Sequence, residues 1–167
     1  MNYKQKQYAV NPCPEKKRIS RLGWRKSLGE IGEQHTVDWL CQKGWKILER
    51  NWRAGRYAEI DIIALDPQKI LVFIEVKTRI KTDNPTGFIS AGFDKIDQRK
   101  INKMVAVSRL YIAKCLRFGR SDLGCRFDAF VLYYPASVRQ AEWGGFNTIQ
   151  QLSSVKPDIL HVKDLLA

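Results

Sequence analysis

Two short apolar runs carry charge at every second position: Glu59-Ile60-Asp61-Ile62-Ile63 and Phe73-Ile74-Glu75-Val76-Lys77. In an extended chain side chains i and i+2 share a face, so Glu59 projects with Asp61 and Glu75 with Lys77, while isoleucine and valine take the other side. Carboxylates and one ammonium on neighbouring strands are what is needed to hold a divalent cation, Mg²⁺ or Mn²⁺, and to present water to a phosphodiester. The alternative is a hairpin with one buried and one solvated face, on which these charges are only surface.

Parity separates the two. Asp66-Pro67-Gln68-Lys69 between the runs reads as a turn, so the strands should form a hairpin. A loop of Pro67, Gln68 and Lys69 sets Asp66 opposite Ile70, Asp61 opposite Glu75 and Glu59 opposite Lys77. A loop of all four residues sets Leu65 opposite Ile70 and sends Asp61 and Glu75 to opposite faces. A metal site therefore requires an odd loop, or a bulge that restores parity. Ile70 to Ile74 is nearly continuous apolar sequence, as in a central strand covered on both faces, and such a strand leaves Glu75 partly enclosed, where a carboxylate needs a metal or a lysine partner.

A helix is expected from Ser27 to Gly44, with Val37, Leu40 and Cys41 as its apolar stripe. Glu33 lies one turn before Val37 and two before Leu40, on the core-facing side, with Glu30 near it. These acids either complement the helix dipole or serve a site. Gly29 and Gly32 favour the site, because small residues three apart let the helix approach a sheet.

Taken together, Gly29-x-x-Gly32-Glu33, Glu59-Ile-Asp61, Phe73-Ile-Glu75-Val-Lys77-Thr-Arg79, Lys100 and Arg126-Phe127-Asp128 resemble, in order and spacing, the bacterial YraN-like (UPF0102) proteins, a family of predicted nucleases. The likeness runs from about Gly29 to Val131, with a weaker echo near Ile159 to Leu166. That family is similar to archaeal Holliday junction resolvases and to the restriction-endonuclease-like superfamily, whose mark is an acidic residue followed by Glu-x-Lys. The resemblance implies an α/β fold with a central mixed sheet flanked by helices, Asp61 and Glu75 as metal ligands, Lys77 as catalytic lysine and Glu33 as a helix-borne acid of the site. Ala58 stands where family members usually carry glycine. For Lys77 a salt bridge to Glu59 or Glu75 is the structural alternative, and both roles can coexist.

Other chemistries are poorly supplied. His35 and His161 sit in no ligand-spaced cluster, and Cys13, Cys41, Cys115 and Cys125 form no C-x-x-C pair, as expected of reduced thiols in a cytoplasmic protein. Neither G-x-x-x-x-G-K nor G-x-G-x-x-G occurs. No apolar stretch is long enough for a membrane span or signal sequence.

Charge names the partner class. A net charge of +12 favours polyanions, nucleic acid and DNA first among them. Lys4, Lys6, Lys16, Lys17, Arg18, Arg21, Arg25 and Lys26 face Glu15 alone before the expected helix, forming an arm that either contacts phosphates or is a solvated tail. Arg53, Arg56, Arg79 and Lys100 lie near the acidic motifs and are the candidate phosphate contacts, and Trp52 is the aromatic placed to meet a base. The expected organisation is a basic arm over 1–22 and a single nuclease-like domain over 23–167. Its remaining elements are a strand from Trp45 to Asn51, a loop from Ile80 to Asp94, a helix from Lys95 to Leu116, a strand from Arg126 to Tyr134 and an edge strand from Ile159 to Val162. The Arg126-Phe127-Asp128 segment is assigned to packing and a salt bridge rather than to catalysis. The reading is a Mg²⁺- or Mn²⁺-dependent endodeoxyribonuclease, for which analogy with junction resolvases suggests a homodimer; the alternative is a non-catalytic nucleic-acid-binding module on the same scaffold.

Overall fold

The structure, a computed structural model, describes residues 23–55, 59–81, 98–116, 124–138 and 149–166. The expected arm over 1–22, residues 82–94 of the expected loop, residues 95–97 at the start of the helix expected after it, and Arg56 and Ala58 lie outside them. The elements run α1 (Trp24–Gln42), β1 (Lys46–Arg53), β2 (Glu59–Leu65), β3 (Leu71–Ile80), α2 (Gln98–Leu116), β4 (Cys125–Tyr134), a short α3 (Ile149–Ser153) and β5 (Asp158–Val162). The five strands form one mixed sheet in the order β1-β2-β3-β4-β5, parallel between β3 and β4 and antiparallel elsewhere. A parallel neighbour needs a crossover, and α2 lies within that crossover. This is an α/β fold with a central mixed sheet flanked by helices, consistent with the restriction-endonuclease-like scaffold.

Both sheet faces are covered. Ile62, Ala64, Val72, Ile74, Phe130 and Leu132 pack with Leu28, Ile31 and Leu40 of α1. Ile63, Leu71, Phe73 and Phe127 pack with Met104, Val107 and Tyr111 of α2. Burial on two sides explains why β3 begins as unbroken hydrophobic sequence. The stripe of α1 differs from the expected one: it runs from Trp24 through Leu28 and Ile31 to Leu40, and Cys41 is exposed. The helix begins at Trp24 because the Ser27 amide donates to Gly23 O (2.9 Å), so Ser27 is inside the first turn rather than before it. It ends where Gly44 takes φ +78°, with Gly44 N–H on Cys41 O and Trp45 N–H on Leu40 O, both 3.0 Å. That left-handed stop turns the chain into β1 and presses Trp45 against Leu40 in the core.

The hairpin loop is odd. Asp66 N–H donates to Ile70 O (3.0 Å), Lys69 N–H to Asp66 O (2.8 Å), and Ile70 N–H to Asp66 Oδ1 (2.8 Å), leaving Pro67, Gln68 and Lys69 as the loop. Lys69 adopts φ +66°, the left-handed residue that three-residue hairpin loops require. Leu65 pairs with Leu71 and Ile62 with Ile74, so the same register carried one step further sets Asp61 level with Glu75.

Candidate active site

Beyond Ile62 and Ile74 the β2–β3 ladder ends, while β2 stays paired with β1 through Glu59 and β3 with β4 through Ile80. The two strands part where the acids sit. At the parting the Asp61 side chain stands in for the missing strand partner: its Oδ2 accepts the Val76 N–H at 2.7 Å. Glu75, on the α2 side by alternation with Phe73, is only 1% exposed. Its Oε1 accepts from Lys77 Nζ at 2.5 Å, the ion pair foreseen as the structural role of Lys77.

Glu59 does not face Lys77, because the ladder has ended. It pairs instead with Arg53 (2.6 Å). With its amide nitrogen turned toward the two carboxylates, Asn51 donates to Glu33 Oε2 (3.1 Å) and Glu59 Oε1 (3.3 Å). Burial pushes the Glu33 carboxyl above its ordinary range and the charges of Glu59 and Glu30 add to this, against the Asn51 hydrogen bond and the Arg50 charge. The groups acting on Glu33 are therefore those around Asn51, and neither Asp61 nor Glu75 is among them. Among the described residues no three acidic, histidine or cysteine side chains gather round one point. The structure binds Asp61 to the Val76 amide, next to Glu75, and seats Lys77 on Glu75. Glu33 reaches the neighbouring side of β3, where it lines a cavity with Val76 and Thr78.

Asn51 also explains why Trp52 is not a free base-stacking surface. At φ +50° it interrupts the alternation of β1: Arg50 reaches back to Gln34 of α1 (2.8 Å), whereas Trp52 turns to α2 and meets Tyr111 edge-on at 5.2 Å. Of the candidate phosphate contacts, Arg53 is exposed and held by Glu59, and Arg79 is half-buried with its Nη1 on Thr78 O (3.1 Å). Arg56 and the Lys100 side chain lie outside the described residues.

A second polar cluster escaped the reading of the sequence. Asp128 is fully buried and takes Arg126 Nε (3.0 Å), His161 Nε2 (2.8 Å) and the Asp164 amide (3.1 Å). Arg126 extends to Asp66 Oδ2 (2.7 Å) and lies over the Trp45 ring. The His161 ring stacks on Phe130 at 4.2 Å. Packing and a salt bridge were expected of Arg126 and Asp128. The partners His161 and Asp66 were not, since the antiparallel pairing of Phe130 with His161 that joins them spans distant segments. The only local signal was an acid and a histidine inside otherwise apolar strands.

The model of the uncharacterised protein family UPF0102 matches residues 32–132. This chain belongs to the UPF0102 family. It is 38% identical over 112 residues to a UPF0102 protein of Treponema denticola, covering 64% of this chain and 80% of the relative. It is 35% identical to one of Synechocystis, over 69% and 73% of the two chains, and 33% identical to one of Desulforamulus reducens, over 66% and 84%. The UPF0102 match runs from Gly32 in the middle of α1 through the hairpin to Leu132 in β4, so every side chain of the parted-strand site lies within it. Among the described residues of this UPF0102 protein no helix is long and apolar enough to cross a membrane.

Proposed function

We propose that this UPF0102 protein is a metal-dependent endonuclease that hydrolyses DNA phosphodiesters, with branched or junction DNA as the substrate class. The observation that carries the reading is a nearly inaccessible carboxylate, Glu75, with the Lys77 ammonium against it, next to the Val76 amide that binds Asp61 where two strands part. A buried carboxylate is costly unless it is paired, and Lys77 supplies a partner that leaves the pair at the place where the strands part.

The donor set fits Mg²⁺ or Mn²⁺: it is hard carboxylate oxygen without thiolate or imidazole. Mg²⁺ commonly takes only one or two protein carboxylates and completes its shell with water and phosphate, so Asp61 and Glu75 suffice to hold it. Bound there, the ion would supply Lewis acidity toward the phosphate and make an attacking water easier to deprotonate. Asp61 is held in place by the Val76 amide, which fixes one carboxylate without spending a second side chain. Lys77 presents a compact cation beside the acids and orients water or offsets charge developing on the phosphate. The net charge of +12 brings a polyanion to carboxylates that would otherwise repel it.

A second reading has its own support. Lys77 closes on Glu75, and no three-carboxylate cage forms among the described residues, both of which suit a nucleic-acid-binding module whose acids are structural. Titration with Mg²⁺ or Mn²⁺ separates the two. The nuclease reading expects binding heat and cleavage on at least one of duplex, junction, flap and single-stranded DNA, and dies if neither ion gives either.

A further inference from the structure

A cavity of about 670 Å³ opens between the first turns of α1 and the last residues of β3. Val76 belongs to both places: its amide holds Asp61, while its side chain lines the cavity with Glu33. The cavity and the parted-strand site are thus neighbours on one strand. Its walls are of two kinds. Trp24, Leu28 and Ile80 are apolar, whereas Arg25 and Arg79 are the basic residues of the lining and Glu33 is its acid.

Two glycines shape the cavity differently. A Cβ at Gly32 would stand 2.4 Å from Thr78 Oγ1, so Gly32 is where helix and strand touch. A Cβ at Gly29 would meet nothing within 4 Å although Gly29 lines the cavity, so that position faces room.

We propose that this cleft takes one unpaired nucleotide of a DNA strand, its base against the apolar wall and its phosphate on Arg25 and Arg79. The volume is in the range that encloses a small ligand. An apolar wall with two cations selects for an object that is flat and apolar at one end and anionic at the other. Glu33, facing that space, adds a hydrogen-bond acceptor suited to the amino edge of a base. The proposal rests on the nuclease reading only for its statement of which substrate is cut; a duplex has no unpaired base to offer, so the cleft makes the protein a reader of the boundary between paired and unpaired DNA.

The test is binding without metal, kept apart from cleavage. Affinities are measured by fluorescence anisotropy for a blunt duplex and for the same duplex with one unpaired terminal nucleotide, with dAMP as competitor. Wild type should prefer the unpaired end by about tenfold, the scale of one base packed on a protein surface. Gly29→Leu, which fills the cleft from a helix position open to it, should bring the ratio below about threefold while circular dichroism shows the helix retained. Arg25→Ala, at an exposed side chain, should lower the ratio in the same direction and serves if Gly29→Leu does not fold. Competition by dAMP at the unpaired end supports the same seat for a free nucleotide. Equal affinity of wild type for the two duplexes overturns the proposal, as does a folded Gly29→Leu with an unchanged ratio. Cleavage assays with Mg²⁺ then judge the nuclease reading by itself: a preference without cleavage keeps the cleft and discards the enzyme, and cleavage without preference does the reverse.

Discussion

At the scale of single residues, Lys77 is the sharpest discriminator, because its ammonium is both an ion-pair partner and the proposed catalytic cation. Lys77→Ala is expected to lower cleavage by about 100-fold or more while DNA affinity changes little, as for loss of one electrostatic stabiliser of a transition state. Unchanged turnover removes this lysine from the mechanism. Asp128 makes a prediction about stability. Burial alone would push its carboxyl up, but the hydrogen bonds from His161, Arg126 and the Asp164 amide, with the Arg126 charge, together hold it below the ordinary carboxylate range. A depressed folded-state value means that its contribution is in force above the unfolded-state pKa and is lost as pH falls through the folded one. Denaturant midpoints of the wild type should therefore fall on acidification through and below the ordinary aspartate range. Asp128→Asn should cost about 3–5 kcal/mol near neutral pH, by leaving Arg126 with a weakened buried partner, and should flatten that acid limb. A parallel acid limb in the variant would show that other carboxylates dominate it.

Elements explain what could be read in advance. The hairpin, its odd loop, the doubly covered β3, the helix α2 and the edge strand β5 all follow from local rules: apolar periodicity, a turn built on Asp66 and Pro67, and parity. Where those rules stop, so did the reading. Alternation along β1 fails at Asn51, whose left-handed backbone sends Trp52 to the α2 side, and the β2–β3 ladder ends before Glu59, which pairs with Arg53 instead of Lys77. The Asp128–His161 contact comes from strand order, which no neighbouring residues encode. Of the two glycines expected to admit the sheet, only Gly32 does so. Gly32→Ala should lower stability by about 1–3 kcal/mol, because its new methyl overlaps the Thr78 hydroxyl on a short side chain. Adding Thr78→Ala should recover much of that loss in thermal or denaturant melts, and a lack of coupling between the two changes would mean that α1 does not sit on β3 through this pair.

For the whole molecule the governing quantity is charge. A formal +12 on 167 residues should make nucleic-acid binding strongly salt-dependent, with the logarithm of affinity falling linearly against the logarithm of salt concentration. Arg79→Ala is expected to reduce the magnitude of that slope by about one if it neutralises a phosphate. A slope that stays the same assigns the side chain to its bond with Thr78 O alone. The tip of the hairpin has a molecule-wide bearing as well. Asp66 uses one oxygen to close the loop and the other to hold Arg126, which in turn grips Asp128 beneath β5. Loop length is thereby checked by a guanidinium sixty positions along the chain. Adding or deleting one residue among Pro67, Gln68 and Lys69 would rotate one strand's side chains by half a turn relative to the other's, sparing every acid yet separating Asp61 from Glu75. Indels at this surface tip, ordinarily the most forgiving kind of mutation, should be as silencing here as the loss of a ligand.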